Sequence, residues 1–372
     1  MAWFWRWLCG GVAAALALYA VALLLGTQEL SWRPAPFDSV AATTSEPGWV
    51  NEAVYLMLNK SAFAEPANRV VITGASNARD PFRPALIQRR LPGWEVANAS
   101  LSGAEIAEYR DLVDLYYSER ERGGRARTVW VFGITFMQFR PSPYRNGVEN
   151  PTAAAAMRAG LFHRGQDGRL AASYPPAVEH VLETALRPQV MVSSWPRRIG
   201  RSLVFESSIP GVKAIADRFR PDDPVQRWTD YIRDANLDSI VIPQSVRNDL
   251  LARRLADAGG DVPSPAAEYV RFANLIREIQ ARGDEVVICD LPMPDWHLAG
   301  FPRSEAFHEA MIARLRQLFG SDRFGYISMR DLSASENFID SAHPKPRLWP
   351  EMSARLADGL RSLHVLQSQP AR

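Results

Sequence analysis

The chain has 372 residues, 47% of them hydrophobic, and a formal net charge of only +2. A hydrophobic share of this size excludes an intrinsically disordered chain and is enough for one large core or two modest ones. The small net charge, without a basic stripe interleaved with aromatic residues, argues against a nucleic-acid partner.

The first predicted element is an uncharged apolar run from Trp7 to Gly26. About 20 such residues cross the hydrocarbon of a bilayer as a helix. The run continues through Leu23 to Leu25 without a small-residue cleavage site, which favours a retained transmembrane anchor over a cleaved signal peptide. Arg6 precedes the run, so the positive-inside rule predicts a single-pass protein of the cytoplasmic (inner) membrane, with its main domain on the extracytoplasmic, periplasmic side.

Strands and helices alternate from Arg69 onwards, which is typical of a parallel α/β domain. The predicted strands are 69–73, 94–98, 128–134, 285–291 and 325–329, and the predicted helices begin at Asp80-Pro81 or span 104–120, 264–283, 304–319 and 349–363. This order predicts one doubly wound domain.

The alternation stops after Arg140 and resumes at Ser264. Helical stretches at 152–159, 212–218 and 225–235 and a turn at 166–168 fall between these points. We therefore predict a cytoplasmic start and anchor at 1–33, a tether at 34–68, a first half-domain at 69–140, a large, mostly helical insertion at 141–262 and a second half-domain at 263–372. The tether includes a short helix near 49–57 that can dock on the domain. The insertion fits a lid, an acceptor groove, a docking face or an inert decoration.

Ser76 follows the first predicted strand in the turn Gly74-Ala75-Ser76-Asn77. Ligands of open parallel sheets bind at the carboxyl ends of the strands. Glycine there permits a tight bend, and the Ser76 N–H group can point at a developing oxyanion. Taken alone, the pattern also fits an ordinary turn or helix-cap serine.

Asp340 and His343 lie in one loop before the last predicted helix. An aspartate three residues before a histidine can bond the imidazole and fix its tautomer, so that the other ring nitrogen can take a proton from a serine. The pair also fits a helix-capping aspartate beside a surface histidine.

Together, the Gly-x-Ser-Asn turn and the Asp-x-x-His loop resemble the first and last signature blocks of the SGNH (GDSL-like) hydrolase family. The resemblance covers 69–134 and 264–363. It implies a flavodoxin-like three-layer α/β/α domain in which Ser76 is the nucleophile, His343 the base and Asp340 the residue that orients it.

The same resemblance implies an oxyanion hole formed by Ser76, Gly103 and the residue at position 135. The family usually has asparagine at the last of these positions, whereas this chain has Thr135. Loss of one oxyanion donor costs about 10²–10³ in rate. Thr135 fits either a hydroxyl donor or a strand-end residue, and Asn77 or Gln138 could support the hole in its place.

An SGNH-like domain on one membrane helix resembles the accessory acyl-transfer proteins of cell-envelope modification, either DltD-like proteins of teichoic acid D-alanylation or the alginate O-acetylation proteins. This likeness implies a membrane-bound O-acyltransferase as partner, a polymer or glycan as acceptor, and no cofactor. We expect a serine-dependent O-acyltransferase or esterase that acts through a seryl acyl-enzyme. The alternative is a non-catalytic adaptor subunit of such a system, which Thr135 favours.

The run Val71–Ser76 is also typical of short-chain dehydrogenases, but the later glycines and a Tyr-x-x-x-Lys motif are missing from the sequence. Asp295, His297 and His308 lack a metal-ligand spacing. We interpret these three as surface polar residues and predict no metal site.

Overall fold

The structure is a computed structural model of the chain. It describes residues 2–29, 38, 52–120, 126–140, 160–175, 177–179, 181–182, 184–186, 228, 231–232, 235–320, 324–363 and 366. The helices predicted at 152–159 and 212–218 lie outside these residues, and so do most of the helix at 225–235 and most of the tether.

The N-terminal helix α1 (Ala2–Glu29) is the predicted apolar helix. Its segment Trp3–Ala22 has a mean hydropathy of 1.4, and none of it is buried against the rest of the chain. The helix is therefore long and apolar enough to cross a membrane. A signal sequence near an N-terminus meets the same criteria of length and composition.

The seven strands in the described residues form a central sheet and a hairpin. They are β1 (Arg69–Gly74), β2 (Glu95–Asn98), β3 (Thr128–Ile134), β4 (Phe162–Arg164), β5 (Leu170–Ala172), β6 (Glu285–Asp290) and β7 (Phe324–Ser328). The central sheet is parallel throughout and has the order β2-β1-β3-β6-β7. The chain therefore extends the sheet in one direction from β1 to β2 and in the other direction from β3 onwards, which opens a crevice at the carboxyl ends of β1 and β3.

The other helices connect the strands and cover the sheet. They are α2 (Glu52–Asn59), α3 (Ser76–Arg79), α4 (Pro84–Gln88), α5 (Ile106–Arg120), α6 (Gln244–Asp257), α7 (Ala266–Ala281), α8 (Asp295–Gly300), α9 (Pro302–Phe319) and α10 (Trp349–Ser362). The predicted strands and the helices after position 263 agree with these bounds to within about three residues at each end.

Both faces of the sheet are buried, because successive side chains of a strand point to opposite faces. On β1, Val71 packs in one cluster with α5 and α7, whereas Val70 and Ile72 pack in a second cluster with α4 and α10. This two-sided burial explains why the central strands read as continuous apolar runs. The mixed α/β class with a parallel sheet is confirmed.

The folded domain begins before Arg69. Leu56 of α2 and Phe63 of the following 3₁₀ turn are buried in the same cluster as α5. The fully buried Lys60 ammonium forms ion pairs with Glu119 and Glu179, at 2.6 and 2.8 Å. Residues 52–64 therefore pack as part of the domain, and the short helix expected near 49–57 docks on it.

The helix start predicted at Asp80-Pro81 is wrong. The carbonyl of Ala75 already accepts the N–H groups of Ala78 and Arg79, so α3 winds directly from the end of β1. Asp80 follows the last residue of α3, and its carboxylate accepts from Arg79 Nε at 2.7 Å.

The described parts of 141–262 pack against the domain. The turn predicted at 166–168 is present and joins β4 to β5. Leu161, Phe162 and Leu170 of this hairpin lie in the core cluster beneath α5. Helix α6, which sequence patterning missed, lies in the same segment and packs beside α8.

Candidate active site

Two glycines allow Ser76 to sit close to the end of the sheet. Gly74 and Gly133 pair across β1 and β3. A Cβ atom on Gly74 would lie 2.5 Å from the Ala78 Cβ, and one on Gly133 would lie 2.6 Å from it. The φ angle of Gly74 is not positive, so glycine is needed here for close approach of α3 rather than for the tight bend predicted from sequence.

The structure brings Ser76, His343 and Asp340 together. His343 Nε2 lies 2.7 Å from Ser76 Oγ, and His343 Nδ1 lies 2.6 Å from Asp340 Oδ2. An ionised carboxylate can only accept, so Nδ1 donates its hydrogen to Asp340 and Nε2 is left to accept the Ser76 hydroxyl hydrogen. The geometry is that of a serine whose proton can pass to a base.

Asp340 also organises the loop that carries His343. Its Oδ1 atom accepts the backbone N–H groups of Ala342 at 2.8 Å and of His343 at 2.9 Å, while Oδ2 faces the imidazole. The two carboxylate oxygens thus fix the backbone and the ring at once. The three-residue spacing noted in the sequence is what allows one side chain to make both sets of contacts.

The charges of this pair support each other. Burial disfavours ionisation of Asp340, but the charge and hydrogen bond of His343 and two backbone N–H groups outweigh it, so the pKa of Asp340 is about 2. Burial lowers the pKa of His343, and the adjacent Asp340 carboxylate raises it by more, so the pKa lies above the ordinary histidine value. Asp340 is therefore ionised at neutral pH.

Residues of the predicted insertion contact the loop that carries His343. Trp228 Nε1 donates to the carbonyl of Ile339 at 3.0 Å, and the buried Lys345 ammonium donates to the carbonyl of Ile240 at 2.6 Å. Trp228, Ile240 and Ile242 form a small apolar cluster against Ile339. The position of His343 therefore depends on a segment distant in sequence.

A cavity of about 170 Å³ opens beside Ser76 and His343. It is lined by residues from the carboxyl ends of β1, β2, β3 and β6, from α6, and from the 341–343 loop: Ala75, Ser76, Asn77, Gly103, Ala104, Glu105, Thr135, Met137, Gln138, Arg140, Arg254, Asp257, Ala258, Met293, His297, Ser341, Ala342 and His343. The sequence-based site residues that line it are Ser76, Asn77, Gly103, Thr135, Gln138 and His343. Asp340 lies behind His343.

Gly103 has a φ of +64°, which favours glycine at this position in the cavity wall. The loop that carries it is fixed by Asn98, which sequence reasoning missed. The buried Asn98 amide donates to the carbonyls of Arg79 and Phe82, at 2.9 and 2.8 Å, and its oxygen accepts Ser100 N–H at 3.1 Å. Asn98 thereby ties the end of α3 to the loop after β2.

The Thr135 hydroxyl, expected as a donor to the oxyanion, bonds to Gln138 instead. Its backbone N–H and its hydroxyl both lie against Gln138 Oε1, at 2.6 and 2.8 Å, while Met137 N–H donates to the Thr135 hydroxyl at 3.3 Å. A backbone N–H can only donate, so the atom facing it must be the amide oxygen. The single Thr135 hydroxyl hydrogen is therefore donated to Gln138, which leaves the Gln138 NH₂ group as the side-chain donor at this strand end.

The interpretation of His297 and His308 as surface residues is wrong, since each is only 1% exposed. His308 Nδ1 lies 2.9 Å from the Tyr269 hydroxyl. His297 lies among the rings of Trp296, Phe136 and Phe301 and lines the cavity. Apolar periodicity did not mark it, because α8 has only six residues and follows a proline-rich turn.

Both ring nitrogens of His297 are buried and without a hydrogen-bond partner among the described residues. An unpaired buried polar atom costs about 1–3 kcal/mol. Burial and the nearby Arg254 guanidinium lower the pKa of His297 to about 3, so the ring is neutral at neutral pH.

Within the part of the chain that the structure describes, no three His, Cys, Asp or Glu side chains are grouped so as to hold a metal ion. Comparison with known proteins gives no family: the chain matches no protein-family model and no curated protein. The chemistry of this site therefore has to be argued from its own residues.

Proposed function

We propose that the protein is a serine-dependent O-acyltransferase or esterase that acts through a seryl acyl-enzyme. The observation that carries this proposal is the continuous contact from Ser76 Oγ through His343 to Asp340, at 2.7 and 2.6 Å. An orienting carboxylate, a base and a nucleophile in this order form the relay of serine acyl transfer.

The proposed reaction has two steps. Ser76 Oγ attacks the acyl carbonyl as its proton passes to His343 Nε2, and the proton then leaves with the departing group. Water or an acceptor hydroxyl next gives its proton to His343 and attacks the acyl-enzyme, which releases an acid or a new ester and restores the Ser76 hydroxyl. The backbone N–H groups of Ser76 and Gly103 and the Gln138 amide are the candidate donors to the oxyanion.

The strand order β2-β1-β3-β6-β7 supports an SGNH-like, flavodoxin-like domain for this chemistry, because it puts the serine after β1 at the reversal of strand order. The N-terminal helix supports a membrane anchor with the domain on the extracytoplasmic side. On this basis, we propose an envelope polysaccharide or polymer as acceptor and a membrane-bound O-acyltransferase as partner, with the part of 141–262 beside the relay acting as a lid or acceptor groove.

One observation favours the second candidate, a non-catalytic adaptor of the same kind of system. The Thr135 hydroxyl, at the position where a donor to the oxyanion is expected, donates to Gln138 instead. An adaptor would keep the fold and the cavity without turning over an acyl-enzyme.

A fluorophosphonate probe separates the two candidates, because it phosphonylates an activated serine with loss of fluoride. We expect the full-length protein to be labelled at Ser76 and Ser76→Ala to remain unlabelled. Ser173→Ala is the matched control, since Ser173 is an exposed serine whose hydroxyl lies 3.4 Å from His163 Nδ1. Folded, unlabelled intact protein would contradict the enzyme and favour the adaptor.

A further inference from the structure

Three buried polar atoms of two side chains in the wall of the Ser76 cavity have no partner among the described residues. They are Asn77 Oδ1 and both ring nitrogens of His297. The two side chains are 4% and 1% exposed, and both line the cavity that contains Ser76 and His343. Buried polar groups of folded proteins are normally hydrogen-bonded to protein or to ordered water, so unpaired ones in side chains that line a cavity mark groups to which a ligand can bond.

The type of atom restricts the chemistry of that ligand. Asn77 Oδ1 only accepts, so the ligand has to bring a hydrogen. The neutral His297 ring has one donor and one acceptor, so the ligand has to offer both functions. A hydroxyl group donates and accepts, whereas an ionised carboxylate only accepts and an alkyl chain does neither.

The charges around the cavity favour a neutral ligand. Arg140 and Arg254 line it, and so do the carboxylates of Glu105 and Asp257. Their formal charges cancel. An anionic ligand would gain from the two guanidinium groups and lose to the two carboxylates, and it would also face the unpaired oxygen of Asn77.

We propose that this cavity binds the acyl acceptor as a neutral, hydroxyl-bearing molecule, a saccharide or polyol, through hydrogen bonds to Asn77 and His297. That this molecule is the acyl acceptor rests on the proposed function. His297 is a specificity-determining residue in this scheme and takes no proton in the reaction. One ligand hydroxyl gives its proton to His343 Nε2 and its oxygen bonds to the acyl carbon. The bond from that carbon to Ser76 Oγ then breaks, and His343 returns the proton to Ser76 Oγ.

Binding can be measured apart from catalysis in the full-length Ser76→Ala variant in detergent micelles. The chain has only six histidines, so ¹⁵N-histidine labelling gives few imidazole signals, and His297→Phe identifies the signals of His297. The probes are methyl α-glucopyranoside and glycerol, and the comparison compounds are propan-1-ol and propionate. We expect a saturable shift of the His297 signals with a polyol and none with the comparison compounds.

Two variants test whether the shift reports a direct contact. Asn77→Leu removes the second bonding group and should weaken polyol binding by about tenfold. His308→Phe makes the same ring replacement at an equally buried histidine outside the cavity wall, and it should leave the affinity unchanged.

Absence of a shift with both polyols, or an equal shift with propionate, would overturn the proposal. A loss of polyol affinity in His308→Phe as large as that in Asn77→Leu would also overturn it, because the loss would then be structural. Labelling by fluorophosphonate is independent of these results. Polyol binding without labelling would support the binding site and contradict acyl transfer. Labelling without polyol binding would support the enzyme and contradict a polyol ligand at this site.

Discussion

His343 and His297 come from two regions of the chain, line the same cavity and have opposite surroundings. Both nitrogens of His343 have partners, Asp340 on one side and Ser76 on the other. Neither nitrogen of His297 has a partner among the described residues. The hydrogen bonds of His343 are all made within the protein, while those of His297 are left for a ligand that enters the cavity.

The same contrast appears in the pKa values. Burial lowers the pKa of both rings, but Asp340 more than compensates at His343, whereas Arg254 lowers the pKa of His297 further, to about 3. A histidine with a neighbouring carboxylate is suited to accept a proton, and a buried one beside a guanidinium is suited to remain neutral. Two histidines in one cavity therefore have separate tasks in our proposal.

Removal of His343 should have the largest effect. We expect His343→Ala to lower the rate of fluorophosphonate labelling by on the order of 10⁶, because the Ser76 hydroxyl loses its base. The measurement is the labelling rate of intact, folded protein against that of the variant. His163→Ala, at an exposed histidine of β4, is the control and should label at the original rate. A His343→Ala rate close to the original would rule out a His343-dependent nucleophile.

Asp340→Asn should come next, with a fall on the order of 10⁴ in the labelling rate. An amide NH₂ group facing Nδ1 favours the tautomer whose hydrogen lies on Nε2, where it cannot accept the Ser76 proton. The loss of the carboxylate should also lower the pKa of His343, so the acidic limb of the labelling profile should move to lower pH. An unchanged limb in Asp340→Asn would show that another group sets it.

Gln138→Ala should lower the rate of ester hydrolysis by roughly 10²–10³ if its amide is an oxyanion donor. Thr135→Val tests the same point more gently, since it removes the hydroxyl that bonds Gln138 Oε1 and keeps the backbone N–H bond. We expect a smaller loss there. A larger loss in Thr135→Val than in Gln138→Ala would return the donor role to the threonine hydroxyl.

The region around His343 could be predicted from sequence because its contacts are local or follow from sheet geometry. Asp340 and His343 are three residues apart in one loop, and Ser76 follows directly after a strand that the sequence marks as a continuous apolar run. Carboxyl ends of parallel strands meet at one edge, so two short motifs suffice to bring the three residues together. The strands and the helices of the second half-domain could also be predicted, because their apolar patterns are local in the sequence.

The region around His297 could not be predicted in this way. His297 lies on a short helix. Trp296 and Phe301 are close to it in the sequence, but Phe136 and helix α6, which complete its surroundings, are distant. Burial of a polar side chain depends on these distant contacts and leaves no periodic signal. The link between Thr135 and Gln138 was missed for a different reason: a threonine after a strand has several local partners, and sequence does not rank them.

The smallest effect, and the sharpest test of the contrast, is in the pH dependence of stability. The lowered pKa of His297 means that the unfolded chain takes up a proton near pH 6.5 and the folded chain only near 3, so stability falls as pH drops through that interval. The raised pKa of His343 acts oppositely. Its contribution to stability is present below the pKa of the unfolded state and is lost as pH rises through the pKa of the folded state.

We therefore expect His297→Phe to show a smaller decrease in thermal midpoint between pH 7 and pH 4 than the intact protein, as measured by circular dichroism. His308→Phe is the matched comparison. A His297 imidazole that titrates near the ordinary value in ¹⁵N spectra would contradict the neutral, unpaired ring on which the contrast depends.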